Sequence, residues 1–190
     1  MVLRGRSAPI GSVLAGMALG GSFGLPFGWL IGQCALVWLL VQLIDVGPCR
    51  SCALRLAALF SLGSYSVGYL GFAAGVAEPV RWAALAPLSM LIAAHVVAVT
   101  AAAWLTLQWR AAPLVRWGLV WPALWLLIEW SFSLGDLAMP WLRLGQLQAP
   151  SGPFASALPF GGALLAGACM WATAAGIAVA WRLRHRAALA

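Results

Sequence analysis

Lysine is absent from the 190 residues, and only four are acidic: Asp45, Glu78, Glu129 and Asp136. Charged residues make up 8% of the chain, against roughly 25% in soluble domains. So thin a polar coat excludes a soluble globular protein. The 64% of hydrophobic residues and the mean hydropathy of +0.96 exceed what an interior of this size can hide. Cysteine is also scarce. Four residues, Cys34, Cys49, Cys52 and Cys169, are too few and too dispersed for a disulfide scaffold. Cys49-Arg50-Ser51-Cys52 has the spacing of a metal or redox pair. No second ligand pair accompanies it, so it reads as two small loop cysteines, with no metal or cofactor expected.

What is present is arginine, tryptophan and long apolar runs. The eleven arginines give a net charge of +7, yet they form no basic stripe, so nucleic acid is not an expected partner. They punctuate apolar segments, as loop anchors of membrane proteins do. The pattern predicts an all-α polytopic membrane protein, one domain over 1–190, with six spans near 8–25, 29–44, 54–76, 82–108, 117–134 and 160–181. Arg4 and Arg6 ahead of the first run resemble a signal peptide, but spans follow at once and no small-x-small cleavage site precedes a soluble domain. The first run is therefore expected to be retained. Gly16, Gly20 and Gly24 place small residues on one stripe of it. Leu25-Pro26-Phe27-Gly28 breaks the chain, Asp45 to Arg55 makes a polar hinge, and Pro87 is the expected kink in the fourth span. The segment 135–159, with four prolines, is the longest non-helical stretch.

With the N-terminus in the cytoplasm, nine arginines fall inside and two, Arg81 and Arg143, outside. This asymmetry predicts both termini cytoplasmic and 135–159 on the opposite, outer side of the membrane.

Few residues carry chemistry. Trp117, Trp121, Trp125 and Glu129 recur every four positions along one drifting helix face. A carboxylate embedded there is costly unless it faces a protein interior or a wet cavity. Two readings stand: Glu129 lines a binding site, or it pairs with Arg143 or with backbone amides of the outer loop. His95, midway along the fourth span, has no acidic neighbour to form a proton relay; it is expected to donate to an adjacent helix. The stretch Leu137 to Gln148 is too apolar for a free aqueous loop and too broken by proline and glycine to span. It is expected to dip into the interface or pack over the bundle, where an amphiphile would enter.

Three motifs then carry a resemblance: Pro122-Ala123-Leu124-Trp125 with Glu129-Trp130; Met139-Pro140-Trp141-Leu142 with Leu144-Gly145 and Gln148; and Leu158-Pro159-Phe160-Gly161-Gly162. Their order and spacing resemble the membrane domain of apolipoprotein N-acyltransferase, whose pattern runs P-A-L-W-x-x-x-E-W/F, then G-F-P-W-L-x-L-G-Y-S-Q, then A-P-L-G-G. The Leu25–Gly28 turn is similar to that family's early F-x-P-F-G. Ala138-Met139 and Gln146-Leu147 depart from it. The match is specific over 117–162 and weaker before. The resemblance implies Glu129, Trp130, Pro140, Trp141, Gly145 and Gln148 as candidate substrate-binding residues, with phospholipid and a lipoprotein N-terminus as partners. It also implies chemistry in a nitrilase-like domain that uses Glu, Lys and Cys. The chain stops before that domain's expected position and has no lysine. It is therefore expected to be inactive alone, with no catalytic residue of its own, as a truncated member or beside a separate nitrilase-like subunit. A different class, a small transporter or an assembly factor such as a conjugal-transfer membrane protein sharing the domain, is the alternative.

Overall fold

The computed structural model describes residues 7–47, 49–75, 78, 80–134, 142–149 and 151–187. Within them the chain forms six helices in sequence: α1 (Ser7–Ser22), α2 (Gly28–Asp45), α3 (Arg50–Ala74), α4 (Val80–Gln108), α5 and α6 (Leu158–Ala187). Helix α5 is composite: an α turn Pro113–Val115, a π segment Arg116–Val120 and an α stretch Trp121–Ser131. Two short 3₁₀ turns, Leu144–Gln148 and Ala155–Ala157, lie between α5 and α6. The expected bare loop over 135–159 thus contains helical turns.

Three of the helices are long and apolar enough to cross a membrane: Gly28–Asp45, Trp82–Gln108 and Ala155–Arg184. Ala8–Ser22 is apolar but shorter. At 1.5 Å per residue, a crossing takes about 20 residues. The surface is as apolar as the core. Trp82, Met90, Val97, Leu119 and Phe160 are each at least 66% exposed, and a third of the most apolar window of α4 is buried. Such an exterior is stable against hydrocarbon, where it forfeits nothing, and costly in water.

Helix boundaries follow local chemistry. Helix α3 starts earlier than the hydropathy suggested because the Cys49 carbonyl already accepts the Ala53 amide at 3.1 Å. Arg50 and Arg55 are consequently helical. Helix α5 starts earlier because Pro113, with no N–H to lose and φ preset, suits a first helical position. Pro87 lies inside α4, while the recorded break in helical geometry falls in α6, at Gly161 and Gly162 (φ −142° and +60°). Glycine alone adopts the second conformation without strain. Between α1 and α2, Phe27 takes a left-handed conformation (φ 58°) at the tight turn.

The small-residue stripe of α1 works as a contact surface. A Cβ on Gly16 would collide with the Phe60 carbonyl and one on Gly20 with the Ser64 carbonyl, whereas Gly24 meets nothing. Helices α1 and α3 therefore touch backbone to backbone. The Ser12 hydroxyl donates to the Leu56 carbonyl at 2.7 Å. Ser12 to Leu56, Gly16 to Phe60 and Gly20 to Ser64 share one offset of 44 residues, so the two helices run parallel. Helices α2 and α6 do the same. Gln33 Nε2 donates to the Met170 carbonyl at 3.1 Å, and Asp45 pairs with Arg182, both 137 residues apart. The core between these pairs holds Leu36, Leu39, Leu40 and Leu43 of α2, Phe60 and Tyr69 of α3, and Met170, Trp171 and Ala174 of α6.

At the α2–α3 hinge the structure departs from the sequence reading. Cys49 and Cys52 are joined by a disulfide, their Cα atoms 5.3 Å apart. The first turn of α3 brings residues three apart onto one side, which the label of two loop cysteines had not allowed for.

Candidate functional site

The tryptophans spaced by four form an inward ladder. Trp117, Trp121 and Trp125 are all at most 2% exposed. Successive rings meet edge to face at centroid separations of 5.8 Å, and Trp125 continues onto Trp171 at 5.4 Å. Residues four apart drift around an α-helix; the wider π turn at Arg116–Val120 alters that advance beneath the ladder.

At the top of the ladder stands Glu129, 6% exposed. Its Oε1 accepts two hydrogen bonds, from Trp125 Nε1 at 3.0 Å and from the backbone N–H of Leu144 at 3.0 Å. The first ties the carboxylate to its own helix. The second ties it to the outer segment 15 residues on. Its Oε2 is buried and has no hydrogen-bond partner among the described residues. One oxygen holds the outer segment through a backbone amide, as the structural reading of this residue expects, and the other has no such role among the described residues.

The segment 142–148 packs down onto the bundle, the arrangement expected for a stretch neither aqueous nor spanning. Leu142 fills the space a side chain at Gly68 of α3 would need, and Leu147 does so at Gly32 of α2. Gly145 lies against the backbone of Ala163 in α6, where a Cβ would overlap the carbonyl. The segment is knit internally: Gln146 Oε1 accepts the Arg143 amide at 3.2 Å, and Gln148 Oε1 accepts the Phe154 amide at 2.9 Å. Gln148 is 1% exposed, and its Nε2 has no partner among the described residues. Three polar atoms of this segment and its support, Glu129 Oε2, Gln148 Nε2 and Arg143 Nε, are therefore buried with no hydrogen-bond partner among the described residues. Such groups cost stability unless a water or ligand meets them.

The six candidate residues divide. Glu129, Gly145 and Gln148 belong to this segment and its support. Trp130 is 48% exposed and stands outside it. Pro140 and Trp141 lie outside the described residues, and with them the expected Glu129–Trp141 pairing. An aromatic group that the sequence reading passed over flanks the site. His95 stacks on Phe132 at 3.9 Å and meets Tyr65 at a tilt at 4.2 Å, and Tyr65 stacks on Trp125 at 6.3 Å. The two tyrosines of the chain, Tyr65 and Tyr69, sit four apart on α3, a spacing that signalled a shared inward face. Among the described residues, His95 finds its hydrogen-bond partner in its own helix and not in the neighbouring one that was expected. Its Nδ1 meets the Leu91 carbonyl of its own helix at 2.8 Å, the acceptor one turn back.

An all-helical bundle with a lipid-compatible exterior, three membrane-length helices and an apolar segment folded over a buried carboxylate is an integral membrane domain. No protein-family profile matches the chain. It is 32% identical over 184 residues, 92% of its length, to the apolipoprotein N-acyltransferase of Chromobacterium violaceum. The similarity thus extends well beyond the motifs of 117–162. The chain spans 35% of that relative, about a third of its length.

Proposed function

We propose that the chain is a lipid- and lipoprotein-binding membrane domain of bacterial lipoprotein maturation, holding substrate for phospholipid-to-lipoprotein N-acyl transfer. The observation that carries this reading is the open, buried Oε2 of Glu129 beneath the 142–148 segment. A carboxylate oxygen in a dry site is an acceptor for an ammonium group, as on an aminophospholipid headgroup or a free lipoprotein N-terminus. Gln148 Nε2 supplies a donor for a phosphate or carbonyl oxygen in the same folded segment. The reaction itself falls to a nitrilase-like part carrying the Glu-Lys-Cys set, either in a longer form of this protein or in a separate subunit.

The domain crosses the inner membrane six times with both termini in the cytoplasm. Two observations support this: α1 runs parallel to α3 and α2 to α6, as alternate helices of a serpentine bundle do, and the arginines divide nine to two.

Binding of an aminophospholipid and of a diacylated lipopeptide to the detergent-purified chain tests the site. Glu129→Gln keeps an acceptor for Trp125 and Leu144 but removes the charge. Loss of binding with an unchanged melting temperature is expected. Full binding by that variant would refute the role.

A further inference from the structure

We propose that the Cys49–Cys52 pair is a thiol–disulfide exchange site whose reaction partner is a disulfide-bonded cysteine of another molecule. The inference stands apart from the lipoprotein reading, since the pair sits at the α2–α3 hinge and shares no residue with the site around Glu129.

Five observations converge. The two cysteines are bonded, so the hinge already holds them in reach of each other. Cys49 immediately precedes Arg50, the first residue of α3, and Cys52 lies within the first turn. The first-turn amides of a helix lack intrahelical acceptors and carry partial positive charge, which favours a thiolate at that end. Ser51 Oγ lies 3.6 Å from Cys49 Sγ. A disulfide sulfur carries no proton, so the hydroxyl donates, and it would donate more strongly to a thiolate. Both cysteines are partly exposed, and Arg50 and Ser51 beside them are exposed, so an external sulfur has access. Asp45, the nearest acidic residue along the chain, is occupied by Arg182 and does not oppose negative charge on sulfur.

A structural staple is the weaker account. A bond between residues three apart closes a very short loop, and constraint of the unfolded chain grows with loop length. Cys34 and Cys169 in α2 and α6 carry no disulfide, so oxidation is confined to the pair.

In the reduced form the Cys49 thiolate attacks one sulfur of the external disulfide. That S–S bond breaks, one partner sulfur leaves as a thiolate and takes up a proton, and Cys49 is held in a mixed disulfide. The Cys52 thiolate then attacks Cys49 Sγ, re-forming the internal bond and expelling the second partner sulfur, which is also protonated. Two electrons and two protons pass from the pair to the external disulfide. A dithiol donor reverses the steps and resets the pair. The external sulfur comes from a small thiol such as glutathione or from a protein, and the test separates the two.

The full chain with Cys34→Ala and Cys169→Ala, in detergent, is reduced with dithiothreitol and freed of it. It is then offered oxidised glutathione or insulin, and thiols are counted by maleimide–polyethylene glycol shifts. Two labels should fall to none. Faster closure with glutathione points to a small-thiol partner, and faster closure with insulin to a protein. Cys52→Ser should trap glutathione on Cys49, seen by mass spectrometry, at a rate at least about tenfold above that of Cys52 in Cys49→Ser. Three outcomes overturn the proposal: two labels that persist with both oxidants, a bond that dithiothreitol does not open, or equal rates for the two serine variants.

Discussion

Removing the side chain of Glu129 tests the central contact of the bundle. Glu129→Ala strips the acceptor from two buried donors, Trp125 Nε1 and the Leu144 amide. Each buried donor left bare costs about 1–3 kcal/mol, or about 2–6 kcal/mol for the pair. Against this, the wild type already bears an open, buried oxygen, so its removal returns part of the cost. A net loss of about 2–4 kcal/mol is expected. For a chain of this size that corresponds to a drop of roughly 4–16 °C in melting temperature. Glu129→Gln keeps the acceptor geometry and should stay within about 1 kcal/mol of wild type. Glu129→Leu restores volume but not the acceptor, so it should fall between the two, nearer alanine. Melting followed by intrinsic tryptophan fluorescence in one detergent ranks all three. If glutamine proves as damaging as alanine, charge rather than acceptor geometry holds the outer segment down, and the reasoning fails. If alanine melts with wild type, the two hydrogen bonds do not carry the contact.

Further outcomes follow from the close backbone approaches. Gly145→Ala, whose Cβ would strike the Ala163 carbonyl, should cost about 1–3 kcal/mol and free the segment for proteolysis. Gly68→Ala meets only the end of the Leu142 side chain, so limited proteolysis should find the segment still protected. Gly16→Val should separate α1 from α3 and lower the melting temperature, whereas Gly24→Val, facing open space, should leave it unchanged. Reporter fusions after Gln148 and after Arg186 should report opposite compartments; the same compartment for both would refute the six-span topology.

Much of the fold could be read before any coordinates because its signals are local. Apolar run lengths mark the helices, and the α1 glycines declare a close contact without naming its partner. That partner, α3, and the parallel register are tertiary facts that nothing in α1 encodes. The site was legible where residue type and depth conflict, as at Glu129. It was not legible where a contact uses the backbone: the Leu144 amide that holds Glu129 has no signature in its side chain. His95 illustrates another limit. Its depth implied a partner, but a carbonyl one turn back satisfies it as well as another helix would. The hinge cysteines were misjudged because a start of α3 at about residue 54 left them in a loop, whereas the Cys49 carbonyl begins the helix.

The glycine pair in α6 also divides this chain by its tolerance of changes in length. Below Gly162 the helix is in register with α2 through both Met170 and Arg182. One residue added between those two positions would turn the lower part by about 100° and carry Arg182 away from Asp45. Above the pair, around Ala155–Ala157, the same addition would be taken up at the break, where the backbone is already out of helical geometry. Natural variants of this domain should therefore differ in length above Gly161 and hold a constant count from Ala163 to Arg182.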